Sequence, residues 1–230
     1  MLSLIFSLIM PMISDAKQIK IAVIYTGYTQ NTIFNATLCK GGHADFTQSG
    51  LFVNGVPLDT HGHGSNIAGL IHQYAVGAPL TGSTVTQDQM EKLSKKSDKY
   101  CLIIVKGFKG KKDGYIKSLE YVSTLNVDYV NISAGGTDVL KSEKFFIKKI
   151  LDSGKKIIAA AGNEGRDSDI VPYYPAAHDS RMIVVGNSNK EKEQLTNNKS
   201  FNKKELSSIY DINSTDRKST RLNSSHGKLS

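Results

Sequence analysis

The chain has 230 residues, 39% of them hydrophobic and 22% charged, enough for one α/β domain with a well-buried core. The net charge is +8, but the lysines are scattered. The local cluster Lys106, Lys109, Lys111 and Lys112 reads as a solvated loop with no aromatic strand motif beside it, so a nucleic-acid partner is not expected. Two cysteines, Cys39 and Cys101, allow one disulfide or two buried thiols and exclude a fold built on a disulfide framework.

Residues 1–10, MLSLIFSLIM, form an apolar run too short to span a membrane, closed by Pro11. Ser14-Asp15-Ala16 offers small residues for cleavage before Lys17. Residues 1–16 therefore read as a signal peptide and the protein as secreted or periplasmic. The run lacks a leading Lys or Arg, and a buried N-terminal strand is the other reading. No later run is long enough for a membrane helix, and no membrane partner is expected.

QIKIAVI (18–24) reads as a β-branched strand ended by Thr26-Gly27. Residues 30–58 are irregular, with Gly41-Gly42, Gly50, Asn54-Gly55 and Pro57 as turn signals; long connections of this kind are often functional. DTHGHGSNIAGLI (59–71) opens as a polar glycine-rich turn and becomes a helix. Ile67, Leu70, Ile71 and Tyr74 are spaced as a stripe facing a core, which places His63 in the first turn of a buried helix. Residues 77–98 read as a surface loop and a short polar helix.

CLIIVK (101–106) is a strand buried on both faces. Ile116, Leu119, Val122 and Leu125 give 114–125 helical spacing. DYVNIS (128–133) is a strand ended by Gly135-Gly136, and 141–152 is an amphipathic helix closed by Gly154. KIIAAAG (156–162) and RMIVVGN (181–187) are further strands. Strands and helices alternate four times, so the fold class is α/β, a doubly wound and mostly parallel sheet with helices on both faces. Sites in such sheets form at the carboxyl ends of the strands, here Thr26-Gly27, Ser133–Gly136 and Gly162–Gly165. After Asn187 the chain turns polar, with weak strand potential at Ser207–Ile212.

Four blocks fall in order: IAVIYTG (21–27), HGSNIAGLI (63–71), NISAGG (131–136) and AAAGNEG (159–165), followed by YYPA (173–176). Together they resemble the subtilisin-like serine peptidases (peptidase S8 type) over roughly residues 18–190. The resemblance implies a serine endopeptidase with catalytic order Asp, His, Ser. His63 matches the general base, which a serine hydroxyl needs at neutral pH. Asn163 matches the oxyanion-hole amide. Ser133, Ala134, Gly135 and Gly136 match the strand end that pairs with a substrate backbone. The implied partner is a peptide or protein substrate, the implied state a monomer, and no cofactor is called for.

Two positions depart from the pattern. Tyr25 stands where the family has its aspartate, and a tyrosine cannot supply the buried negative charge that orients the base. Asp45 or Asp59 are conceivable substitutes, with Asp59 expected to face the substrate cleft. No Gly-Thr-Ser nucleophile block occurs, and Gly82-Ser83-Thr84 is too early and in the wrong order. Losing the aspartate costs about 10⁴–10⁵ in kcat and losing the serine about 10⁶, so the chain as written reads as inactive. A non-catalytic pseudopeptidase that binds extended peptides is the alternative.

Residues 216–226, DRKSTRLNSSH, look like an in-frame translation of a common sequencing-library adaptor. The expectation is therefore a partial peptidase domain over 17–215, an artefactual tail over 216–230 and a true chain that continues to the serine. Tyr25 can itself be a one-base change from an Asp codon. Asp59, His61 and His63 could also ligate a metal, but His43, His72 and His178 lack a paired spacing and no metal site is expected. GGTDVLKS (135–142) is not a phosphate loop, because Leu140 stands where glycine is required.

Overall fold

Successive residues of IKIAVIY alternate between two apolar layers, and that alternation organises the molecule. Ala22 and Ile24 enter a cluster with Leu119, Val122, Ile147 and Ile150. Val23 and Tyr25 point the other way, into a cluster with Ile67, Ala68, Leu102 and Ile104. A strand with both faces covered has no polar face to show, which is why its sequence is nearly all apolar.

The structure is a computed structural model that describes residues 17–30, 35–48, 55–79, 85–110, 113–163, 168 and 170–186. Six strands are described: β1 (Ile19–Tyr25), β2 (Ala44–Asp45), β3 (Tyr100–Lys106), β4 (Tyr129–Ile132), β5 (Lys156–Ala160) and β6 (Ile183–Val185). They form one sheet in the order β2-β3-β1-β4-β5-β6, with every pairing parallel. Helix α1 (His63–Ala75) covers one face. Helices α3 (Gly114–Thr124) and α4 (Lys141–Asp152) cover the other, and α2 (Gln87–Ser94) precedes β3. From β1 the chain builds outward to β3 on one side and later to β4 on the other. The crevice at such a reversal is where a doubly wound sheet holds its ligand.

Each helix has a local cause. Thr86 caps α2, accepting the Gln89 amide while the Gln89 side chain accepts the Thr86 amide. Helix α4 ends at Gly154, whose φ of 84° is the left-handed turn that glycine adopts without a Cβ clash. Cys39 and Cys101 form a disulfide that ties the start of β3 to the segment before β2. With the cysteines 62 positions apart in sequence, the cross-link stabilises the fold by roughly 2–4 kcal/mol through the unfolded chain.

Several expectations change. Tyr74 does not face the core; it is 52% exposed. The buried face of α1 is instead His63, Gly64, Ile67, Ala68, His72 and Gln73. Polar residues occupy it because partners await them: His72 Nε2–H donates to Leu93 O at 2.8 Å, and the Tyr100 hydroxyl lies 2.6 Å from His72 Nδ1. Lys106 is not in a solvated loop; it is buried at the end of β3, donating to Leu58 O at 2.8 Å with Asp45 at 3.9 Å. The irregular segment contains β2, a two-residue strand. The segments read as signal peptide (1–16), weak strand (207–212) and tail (216–230) lie outside the described residues.

Candidate active site

Strands β1, β4 and β5 are neighbours, so their carboxyl ends lie side by side, about 5 Å apart per strand. Val23 pairs with Asn131 and Asn131 with Ile158. Counting forward in that register brings Tyr25, Ser133 and Ala160 to one level, with Asn163 just beyond. Ala134 shares an apolar cluster with Tyr25 and Ile67, which packs the segment after β4 against the β1–α1 junction.

Helix α1 starts against the end of β1 at backbone contact. A Cβ on Gly64 would lie 2.1 Å from Gly27 O, and one on Gly27 would lie 2.7 Å from Leu58 O. Gly27 also has φ 112°, a region open to glycine. The first turn of α1 has no side-chain cap at its N-cap, Gly62. Asp59 takes that role from outside the helix. Its Oδ1 accepts the amides of His61 and Gly62, both at 2.9 Å, and the Thr26 hydroxyl at 3.0 Å. Its Oδ2 accepts the Ser65 amide at 2.8 Å and the Ser65 hydroxyl at 2.7 Å. Burial alone would raise the Asp59 pKa, but the hydrogen bonds from Ser65, His61 and Gly62 outweigh it and pull the carboxyl below its ordinary value. Asp59 therefore does not face the cleft as expected; it holds the helix start. Thr26 completes the clasp, its Oγ1 accepting the Gly64 amide at 2.9 Å.

This clasp sets His63, the first residue of α1 and buried, against Tyr25. Tyr25 Oη lies 3.1 Å from His63 Nδ1, and the rings stack with centroids 5.8 Å apart at 8°. Burial pushes the Tyr25 hydroxyl up to about 12, with the Asp59 charge adding to it, so the phenol stays protonated. His61 meets the His63 ring edge-on at 4.6 Å. Asp45, the other acid considered near this site, is engaged locally: its Oδ1 accepts the Thr47 amide at 2.8 Å and the Thr47 hydroxyl at 2.5 Å, and Lys106 lies beside its other oxygen.

The segment after β4 is already partly engaged. Gly136 N–H donates to Tyr174 O at 2.9 Å, and Tyr174 N–H donates to Gly136 O at 2.7 Å. Gly135 packs so closely on this bridge that a Cβ would lie 2.1 Å from Tyr174 O. Asn163 is exposed and follows Gly162, whose φ of 94° turns the chain after β5. Sequence reasoning missed two parts of this site. One is the role of Thr26, a strand-end residue whose hydroxyl bridges Asp59 and the Gly64 amide. The other is the inward aim of Asp59, whose signal was an acid just ahead of a helix start.

Minor extracellular protease Epr of Bacillus subtilis (strain 168) is 26% identical over 180 residues, which cover 78% of this chain and 24% of its own length. Subtilisin amylosacchariticus of Bacillus subtilis subsp. amylosacchariticus is 28% identical over 180 residues, covering 73% of this chain and 44% of its own. The chain thus spans less than half the length of both relatives. Among solved structures, the epidermin leader peptide processing serine protease (EpiP) from Staphylococcus aureus superposes with a TM-score of 0.55 at 16% identity. It covers 77% of this chain and 48% of its own. A lanthipeptide protease gives 0.54 at 18%, covering 74% and 48%. These two structures share the fold. The Subtilase family profile matches residues 16–223, and the chain belongs to the subtilase family.

Proposed function

We propose that this chain is a serine-endopeptidase-type domain that engages extended peptides and, as written, binds them without hydrolysing them. The observation that carries this reading is the 3.1 Å contact between Tyr25 Oη and His63 Nδ1. The tyrosine occupies the place of the orienting aspartate and touches the nitrogen that an aspartate would touch. It keeps the imidazole in position and removes the charge. An imidazolium formed during serine attack would face a neutral phenol, and loss of the aspartate in such triads costs about 10⁴ in kcat. No Gly-Thr-Ser block occurs in these 230 residues to supply the nucleophile.

Peptide binding is assigned to Ser133, Ala134 and Gly135. In an extended segment successive residues aim their backbone groups at opposite edges. Gly136 spends its amide and carbonyl on Tyr174, so Ser133 and Gly135 direct theirs to the other edge, where a peptide strand adds by main-chain pairing. Asn163, beyond the end of β5, supplies an amide N–H₂ for a carbonyl oxygen. The Cys39–Cys101 disulfide supports an exported protein, since reducing compartments keep such thiols apart.

Backbone N-methylation tests this. A peptide that binds is N-methylated at one residue at a time, which removes a single amide donor and leaves the side chains. Affinity should fall at alternate positions and hold at those between. A uniform response would reject strand pairing at this edge.

A further inference from the structure

We propose that Tyr25 is a tautomer lock: its hydroxyl donates to His63 Nδ1 and keeps the imidazole proton on Nε2, so the histidine presents a donor where a general base must present a lone pair. This deepens the reading above, since it concerns the same site, but its test is independent of peptide binding.

Hydrogen-bond satisfaction carries the inference. Tyr25 is buried, and among the described residues its hydroxyl bonds only to His63 Nδ1. A phenol has one proton to place. If Nδ1 carried a hydrogen, Tyr25 Oη would accept it and the buried O–H would have nothing to donate to. The pairing O–H···N leaves neither group unmade, and burial disfavours the alternative steeply. The phenol does not ionise in the ordinary pH range, so it cannot become a pure acceptor.

The same helix holds a pair with this polarity. His72 Nε2 lies 2.8 Å from Leu93 O, and a carbonyl only accepts, so the His72 proton is on Nε2. Its Nδ1 must then accept from the Tyr100 hydroxyl, 2.6 Å away. Tyr25–His63 repeats the arrangement near the other end of α1. His43 is fixed likewise, donating from Nε2 to Cys39 O at 2.9 Å and accepting the Ile104 amide on Nδ1 at 3.0 Å.

An aspartate works in the opposite sense. A carboxylate only accepts, so it demands Nδ1–H and leaves Nε2 bare to take a proton. Tyr25 therefore does more than omit a charge: it reverses the proton on the ring. Any hydroxyl brought to Nε2 would meet a hydrogen. Tyr25 acts through His63 and is a positioning residue.

The test is ¹⁵N NMR of the whole chain labelled at histidine, at mildly alkaline pH, reading which ring nitrogen bears hydrogen. His63 should show the Nε2–H pattern of His43 and His72. Tyr25→Phe, which keeps the ring and removes the hydroxyl, should give His63 a mixture of both tautomers. Tyr25→Asp should reverse it to Nδ1–H. Unchanged His43 and His72 signals certify that each variant is folded; should one variant fail to fold, the wild-type pattern and the other variant decide. Nδ1–H in the wild type, or an unmixed Nε2–H form in Tyr25→Phe, would overturn the proposal.

Discussion

Asp59 and Ser65 are joined twice, the Ser65 amide and hydroxyl both donating to Asp59 Oδ2, at 2.8 and 2.7 Å. With the His61 and Gly62 amides on Oδ1, the carboxylate gathers the unpaired donors at the start of α1. The position of His63 depends on this clasp.

The Asp59 carboxyl has a lowered pKa in the folded protein, so its contribution is fully present above the ordinary aspartate value. It is lost as pH falls through the lower folded value. Amide hydrogen exchange at Gly64 and Ser65 should therefore quicken in acid ahead of exchange in β3. Asp59→Asn should be faster at neutral pH and lose that acid step. An unchanged acid step in the variant would place the titrating group elsewhere.

Gly64→Ala puts a methyl 2.1 Å from Gly27 O, backbone against backbone. The strain should lower stability by about 1–3 kcal/mol and part His63 from Tyr25. Urea unfolding measures the first. Loss of the contact is read from the His63 ring signals, which should move while those of His43 hold.

His43 serves as a ladder partner for β3, its Nδ1 accepting the Ile104 amide between the main-chain bonds at Leu102 and Lys106. His43→Leu keeps bulk and removes the acceptor, leaving a buried N–H unpaired at a cost of about 1–3 kcal/mol. Burial lowers the His43 pKa, against a smaller opposing effect from the Cys39 carbonyl. A histidine with a lowered folded pKa gives stability that is whole above its ordinary value of 6.5 and declines as pH drops below it. Unfolding midpoints should therefore fall between neutral and mildly acidic pH in the wild type, and the fall should be smaller in His43→Leu.

Strands β1, β3, β4 and β5 were legible because a strand covered on both faces writes itself as a short apolar run between turns. The orientation of α1 was not. Counting apolar residues from Ile67 leads to Tyr74, whereas the buried face runs through His63, His72 and Gln73. Hydropathy cannot see a histidine whose burial is licensed by Leu93 O and the Tyr100 hydroxyl. Strand β2 exists only through its pairing with β3, and two residues carry no period. Lys106 reads as solvated until Leu58 O and Asp45 are placed beside it. At the site, Tyr25 and His63 were paired by motif alone. The direction of Asp59 depended on a turn in which three of its five donors are backbone amides, and amides leave no trace in side-chain composition.

Binding without cleavage is tested by incubating the chain with an unstructured polypeptide. Complex formation and new peptide termini are followed together by mass spectrometry, with His63→Ala as the control. Saturable binding and an intact substrate are expected in both samples. Termini that accumulate with the wild-type chain and not with His63→Ala would contradict binding without cleavage.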